Sequence, residues 1–465
     1  MNARPRTFGE LKASEYPAFT VRDEMRKNLI RKLKSGEKIF PWLQGFEDTV
    51  VPQLVHAVLA GHDIILLGER GQAKSRILRA LPTLLDDEIP VVKGSEINDS
   101  PFAPISLEAR ERLARDGDRT EIEWIGRDRR YGEKLATPDV STADLIGEID
   151  PVKVAEGRYL ADERTIHYGI IPRTNRGIFA INELPDLPEK VQVALFNVLE
   201  ERDFQIKGYR IRLPLDIMVV ATANPEDYTN RGRIITPLKD RYESLVRTHY
   251  PLDRETEAAI IEAEQSRPVI GAMRASVPRY LLDIVAEFSR QAREHPAVDQ
   301  RSGVSVRLSI ANYETLVAAA EKRALLLGEE AAVPRISDLD NLAASSLGKL
   351  EFEMRGDDGD PMELFRKILG KAVLRVFGEW FELEQLHEVI AAFRQGWGVE
   401  VGETMPSADY VQGLDEIKGL RAAVEKAGAV ASGEIAAAVE FIFEGLHLSG
   451  KLNKEVSEKG TTVYR

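Results

Sequence analysis

The run Ile64-Ile65-Leu66-Leu67 passes without a break into Gly68-Glu69-Arg70-Gly71-Gln72-Ala73-Lys74-Ser75-Arg76. An apolar strand ending in a glycine-bearing loop and a Lys-Ser pair restricts the fold sharply, because the loop must bend at a sheet edge and a helix must follow. In that context successive backbone N–H groups turn inward around a triphosphate, Lys74 reaches its outer phosphates and the Ser75 hydroxyl ligates magnesium. Gly68, Glu69, Arg70, Gly71, Gln72, Ala73, Lys74, Ser75 and Arg76 are therefore the expected ATP-binding residues. Ala73 stands where the pattern Gly-x4-Gly-Lys-Ser/Thr has its second glycine, which predicts a negative φ at that residue, where a methyl group is tolerated. The competing reading is an unrelated glycine-rich turn before a helix.

At 465 residues, 43% of them hydrophobic and 30% charged, the chain exceeds what one core serves, and roughly two to four folding units are expected. No apolar run is long enough to cross a bilayer, and the opening Met-Asn-Ala-Arg-Pro-Arg lacks the apolar stretch of a secretory signal; a cytoplasmic location follows as the expectation. The absence of cysteine excludes disulfides, thiolate catalysis and cysteine-ligated zinc. The seven histidines are scattered without ligand spacing, which leaves magnesium on oxygen ligands as the expected metal. A net charge of −13 argues against broad coating of nucleic acid. Two local basic patches, Arg22 to Lys38 and Arg127 to Arg130, lack interleaved aromatic residues and read as solvated faces, with a nucleic-acid site as the minor alternative.

Strand signals at Asp63–Leu67, Val91–Lys93, Glu121–Ile125, Gly177–Ile181, Ile217–Ala223 and Ser244–His249 alternate with helical ones, which predicts an α/β unit with a parallel sheet covered on both faces. A β-hairpin is expected over 203–213 around Lys207-Gly208. After Pro251 helical periodicity takes over, at Arg254–Glu264, Pro278–Glu294, Leu308–Leu327 and Ile336–Leu350. The polar run from Arg355 to Pro361 reads as a linker. Helices over Met362–Gln395, Asp415–Ala427 and Gly433–His447 follow, with a short closing hairpin between Leu452 and Tyr464.

Hydrolysis requires a metal ligand and a water-orienting carboxylate on a neighbouring strand. Ile178-Phe179-Ala180-Ile181-Asn182-Glu183 supplies four apolar residues for a sheet centre and two polar ones at its C-terminal edge. Glu183 is the candidate that polarises water, and Asn182 is the candidate second magnesium ligand beside Ser75. An Asp-Glu pair is usual there, and Asn182 offers a carbonyl oxygen without negative charge. A strand-to-helix cap is the alternative for this pair.

The chain resembles the AAA+ ATPases of the magnesium-chelatase ATPase-subunit and MoxR group, the clade with an insert in its second core helix. The resemblance covers roughly Phe40 to Leu350 and rests on Leu145-Ile146-Gly147-Glu148-Ile149-Asp150, Gly157, Gly169 to Gly177, and Gln192 to Glu201. It implies a parallel five-stranded AAA+ P-loop core, an α-helical lid and a mainly helical C-terminal domain. The expected bounds are 1–39 for an N-terminal extension, 40–250 for the nucleotide-binding domain with its insert at about 130–172, 251–350 for the lid and 351–465 for the last domain. Ala221-Thr222-Ala223-Asn224-Pro225 is similar to the sensor-one strand end, so Asn224 is expected to place the attacking water. Thr236 to Tyr242 resembles the segment bearing the arginine finger, which makes Arg241 the expected finger and Arg233 the reserve. Ser305-Val306-Arg307 resembles the sensor-two start, so Arg307 is expected on the γ-phosphate. For both arginines a surface salt bridge is the alternative.

What the resemblance implies as a whole is a homohexameric ring that hydrolyses ATP with magnesium and moves a protein partner. No Asp-x-Ser-x-Ser segment is present, so an integrin-like (VWA) domain, if one takes part, comes from another protein. Two rival expectations are a nucleotide-binding scaffold with little turnover, on account of Asn182, and a nucleic-acid motor.

Overall fold

Ile64–Leu67 (β1) is aliphatic throughout and buried on both faces, and Gly177–Asn182 (β3) and Ile217–Ala223 (β4) repeat the pattern. Strands of that kind belong inside a parallel sheet covered by helices. In the computed structural model they join Tyr131–Leu135 (β2) and Ser244–Arg247 (β5) in a five-stranded sheet of order β2-β3-β4-β1-β5, every neighbouring pair parallel. It is the parallel five-stranded sheet that the resemblance implies. Leu67 at the end of β1 lies in register with Ala223 of β4 and Arg247 of β5, so the loop after β1 opens beside both strand ends. The structure describes residues 4–150, 152, 163–201, 213–225, 234–267, 273–299, 303–351, 360–456 and 461–465. They form two compact units, Met1–His249 and Tyr250–Arg465.

Alternation along each strand feeds two cores. Ile64, Leu66, Ile178, Ala180, Met218 and Val220 pack with the buried stripes of Val21–Ser35 (α1), Val50–Ala60 (α2) and Lys74–Ala80 (α3). Ile65, Leu67, Phe179, Ile181, Val219 and Ala221 pack on the other face with Val191, Leu195 and Val198 of Glu189–Glu200 (α4). The N-terminal extension is thus part of the first unit's core. Its helix starts at a Thr20 cap, and the Val21 N–H donates to the Asp216 carboxylate at 2.9 and 3.1 Å.

Two expected sheet strands lie elsewhere. Glu88–Val92 and Ile122–Gly126 pair antiparallel with each other, outside the five-stranded sheet. The missing sheet member is β2, whose sequence Tyr-Gly-Glu-Lys-Leu carries no apolar run because it is an edge strand with one neighbour. It falls within the 130–172 segment read as an insert, where Gly147–Ile149 also pairs antiparallel with Ile166–Tyr168. The hairpin expected over 203–213 lies outside the described residues apart from Leu213.

In the second unit Arg254–Glu264 (α5), Arg279–Glu294 (α6) and Val306–Leu327 (α7) form close to the expected positions, followed by Pro361–Trp380 (α8) and Ser432–Leu448 (α9). The segments read as lid and C-terminal domain share one apolar core that joins Ile261, Phe288 and Leu316 to Phe365, Phe377 and Phe443. Tyr280 of α6 stacks on Phe441 of α9 with ring centroids 4.3 Å apart. Ile336–Leu350 is not one helix: Ile336–Leu342 is a 3-10 segment followed by a single turn, Ala343–Ser346. Buried Asp338 tightens it by accepting from the Arg335 N–H at 2.8 Å and from Arg323 at 2.9 Å. The closing hairpin pairs Lys454–Val456 with Thr462–Tyr464 and gains an unforeseen third strand, Val399–Val401. Among the described residues no helix is long and apolar enough to cross a membrane.

Candidate nucleotide site

Gly68 turns the chain at the end of β1 and donates its N–H to the Ala223 carbonyl at 3.2 Å. A Cβ on Gly68 would overlap Thr248 Oγ1 and Gln72 Oε1, so only glycine fits there. Gln72 is buried, and its Oε1 accepts from the Glu69 N–H and from the Thr248 hydroxyl, each at 2.9 Å. Thr248 sits just beyond β5 and donates its own N–H to the Leu67 carbonyl at 2.9 Å. One side chain therefore pins the Gly68–Ser75 loop to the neighbouring strand.

Gly71 and Ala73 have φ of 78° and 55°. Ala73 is thus left-handed, against the sequence expectation of a negative φ. Left-handed residues within such a loop turn its N–H groups toward one concavity, the form that binds anions, and the alanine holds that shape at a cost of about 1–2 kcal/mol. From the start of α3, Lys74 Nζ donates to the Gly68 carbonyl, to the Glu69 carbonyl at 2.8 Å and to Asn224 Oδ1 at 2.8 Å. The Lys74 ammonium and the Asn224 amide, far apart in sequence, meet at one sheet edge.

Ser75 and Asn182 are also in contact. Asn182 Nδ2 is 3.0 Å from Ser75 Oγ, and the Ser75 hydroxyl is 3.3 Å from Asn182 Oδ1. Thr222, fully buried in β4, donates to Asn182 Oδ1 at 2.7 Å and accepts from the Glu183 N–H at 2.8 Å. This relay fixes Asn182 and Glu183 together, and Glu183 adopts a left-handed backbone with φ of 60°. Gln72 was expected only as a member of the loop; the positioning contacts of Thr222 and Thr248 were not foreseen. Thr222 had a weak signal, a lone hydroxyl inside the apolar run Ile217–Ala223; Thr248 had none.

Among the described residues no group of three or more histidines and carboxylates is arranged to hold a metal ion. Ser75 Oγ and Asn182 Oδ1 are hard, neutral oxygens side by side, a pair that suits magnesium when phosphate oxygens and water complete the shell.

Arg241 stands apart from this cluster. It bonds Glu200 and Asp240, each at 2.9 Å, and lies 4.7 Å over the Phe196 ring. The hydrogen bond to Glu200, with smaller help from the charges of Glu200 and Asp240, raises its pKa above the ordinary arginine value. Because Arg241 precedes β5 while the Gly68–Ser75 loop follows the parallel β1, the two lie at opposite edges of the sheet. Arg233 lies outside the described residues. Arg307 belongs to the second unit, where it is exposed in the first turn of α7 and donates its N–H to Ser305 Oγ at 3.1 Å.

Several members of the basic patches pair with carboxylates of the same unit. Arg130 is fully buried in a bidentate pair with Glu24 at 2.8 and 2.6 Å, Arg22 bonds Asp63 at 2.9 Å, and Lys27 bonds Asp86 at 2.9 Å. The solvated-face reading is therefore corrected at Arg130, which is buried, while Arg22 and Lys27 keep solvent contact beside their carboxylate partners.

A family model described as the sigma-54 interaction domain matches residues 154–243, the stretch carrying β3, β4 and Asn224. The magnesium-chelatase subunit ChlI of Anabaena variabilis is 27% identical over 205 residues, covering 43% of this chain and 56% of that protein. The magnesium-chelatase 38 kDa subunit of Rhodobacter capsulatus is 28% identical over 235 residues, covering 49% of this chain and 62% of that protein. The chain thus spans little more than half the length of these curated relatives. A solved complex of the magnesium-chelatase subunits BchI and BchD aligns at 21% identity and a TM-score of 0.36 over 70% of this chain and 98% of that one, a score too low to add weight.

Proposed function

We propose that this chain, whose first unit is related to the ATPase subunits of the magnesium-chelatase group of AAA+ proteins, hydrolyses ATP as a ring and uses the resulting movement to remodel a protein partner in the cytoplasm. The observation that carries the reading is the convergence of Lys74, Asn182, Glu183 and Asn224, from three separate strands, on one sheet edge. Lys74 already holds carbonyl oxygens in the place where phosphate oxygens are expected, so binding exchanges one set of oxygen acceptors for another. Glu183, anchored through its own N–H to Thr222, orients and polarises the attacking water, and Asn224 positions that water from the end of the neighbouring strand. Magnesium would be held by Ser75 Oγ and Asn182 Oδ1 and would supply neutralisation of phosphate charge.

The position of Arg241 at the far edge of the sheet supports a role in a neighbouring subunit's site, where a guanidinium stabilises transition-state charge; Arg307 on the γ-phosphate is the corresponding role for the second unit. A hexamer, a chaperone role like that of MoxR proteins, and an integrin-like (VWA) partner in metal insertion or complex maturation belong to the same proposal. A second reading, a scaffold that binds nucleotide with little turnover, is favoured by one contact: Asn182 Nδ2 donates to Ser75 Oγ, a bond aspartate cannot make.

Magnesium-dependent phosphate release by the wild type, Lys74→Ala, Glu183→Gln and Asn182→Asp, with sedimentation in nucleotide, separates these readings. Loss of binding in the first variant and loss of turnover with retained binding in the second are expected. Equal turnover by Glu183→Gln and wild type defeats the assignment of the carboxylate. Tight binding with negligible release by the wild type, raised by Asn182→Asp, establishes the scaffold. Adding Arg241→Ala protein to wild type should lower specific activity in mixed rings.

A further inference from the structure

The second unit carries a cavity of about 330 Å³ between the Val399–Val401 strand, the helix Ser407–Gly413 and α9. Its floor is apolar, made by Met405, Tyr410, Ile417, Leu420, Val439 and Phe443, and Trp397 stands at its mouth with 39% of its surface exposed. The rim carries Glu400, Asp409 and Glu416, all exposed, and no Lys or Arg lines the cavity. Among the described residues none of these three carboxylates has a cationic partner. The nearby cations are engaged elsewhere: Lys418 with Glu388 at 2.7 Å, Arg421 with Asp415 at 2.6 Å and Arg465 with Glu455 at 3.0 Å.

The strand beside the cavity adds a second feature. Val399–Val401 is an edge of its three-stranded sheet, paired on one side to Thr462–Tyr464 and on the other to no described strand. An open edge accepts an extended segment by backbone hydrogen bonding, while a neighbouring pocket takes that segment's side chains. A volume near the lower end of ligand pockets, roughly 300–1000 Å³, suits one or two large apolar side chains. An exposed tryptophan at the mouth of a pocket is the residue type on which binding energy concentrates.

We propose that this cavity is a docking site for an extended peptide segment of a partner protein, with apolar anchor residues flanked by Lys or Arg. The apolar floor selects the anchors, the Val399–Val401 edge fixes the backbone, and the unpaired carboxylates select against acidic flanks. The site lies wholly in the second unit and does not depend on nucleotide turnover.

The test is selection of random dodecapeptides on the full-length chain, followed by titration of the chain and its variants into a fluorescein-labelled selected peptide, read by anisotropy. Selected sequences should pair apolar positions with a net positive charge. Binding should fall by roughly tenfold or more in Trp397→Ala and in the double variant Glu400→Lys/Glu416→Lys, and should weaken as salt rises. Glu400→Gln/Glu416→Gln keeps the test open if charge reversal disturbs folding, with a smaller loss in the same direction. Selection of nothing, of neutral or acidic sequences, or of peptides that bind the charge-altered variants as well as the wild type overturns the proposal. So does a self-association of the chain that the selected peptide competes away, because the occupant would then be a second copy.

Discussion

The brace between Gln72 and Thr248 gives the sharpest test of how the Gly68–Ser75 loop is held. Gln72→Met keeps the length of the buried side chain but removes Oε1, which accepts two hydrogen bonds of 2.9 Å. At about 1 kcal/mol for each net neutral hydrogen bond, the loss is about 2 kcal/mol. Thr248→Val removes one of the two and should cost about 1 kcal/mol. If the two side chains act through the same bond, the double variant costs about 2 rather than 3 kcal/mol, a coupling of about 1 kcal/mol. For a unit of this size that corresponds to a lowering of the melting temperature by about 4–8 °C in Gln72→Met and in the double variant, and by half as much in Thr248→Val. Urea unfolding of the three variants measures the cycle, and titration with a fluorescent ATP analogue reads the loop. Affinity should fall in all three, since the Glu69 N–H and the Gly68 turn lose their support. Additive effects, with coupling below about 0.3 kcal/mol, refute the brace.

Three further outcomes are expected. Ala73→Gly relieves a left-handed backbone costing about 1–2 kcal/mol against glycine's greater loss of freedom of about 0.5–1 kcal/mol, so stability should hold or rise by up to about 1.5 kcal/mol; a destabilisation beyond about 1 kcal/mol in urea unfolding contradicts the assigned backbone. Glu24→Gln leaves the buried Arg130 guanidinium without its counter-charge and should cost about 3–5 kcal/mol. Arg176, pushed down to about 10 by burial and then by the Arg130 charge, adds to the uncompensated positive charge, and a melting temperature within a few degrees of wild type would argue against a shared buried network. Glu133 is held below the ordinary 4.5 first by its hydrogen bond to Arg79, against the opposing effect of burial. Its folded value is the depressed one, so its contribution is present above about pH 4.5 and disappears as pH falls further. For a partly exposed pair this amounts to at most about 1 kcal/mol; the stability difference between wild type and Glu133→Gln should vanish in acid, and a difference that grows toward low pH refutes the pairing.

Much of the first unit is legible in the residues. Runs such as Ile64–Leu67 and Ile217–Ala223 are apolar at every position because both faces are covered, and that continuity announces a central parallel strand before any pairing is known. The Lys-Ser pair after β1 and Asn182-Glu183 after β3 mark the sheet edge for the same reason: polar residues emerge where the covered run stops. Pairing itself is not local. Val91 and Ile125 belong to short apolar stretches that look like sheet members, yet their hydrogen bonds close on each other. Tyr131–Leu135 looks like a loop, yet joins the sheet, because an edge strand needs only one neighbour and little apolar surface.

The sequence by itself determined the residue types that can hold a triphosphate, orient water and rule out thiol chemistry, since these depend on composition and on spacing within a few residues. Only the tertiary structure decided which distant groups share the site, and at what backbone conformation. The handedness of Ala73, the bond from Lys74 to Asn224 and the relay through Thr222 follow from strand register. The acidic cavity beside Trp397 likewise exists only because a three-residue strand folds back onto the terminal hairpin. Contacts of that kind join residues with no relation along the chain, so no local pattern encodes them.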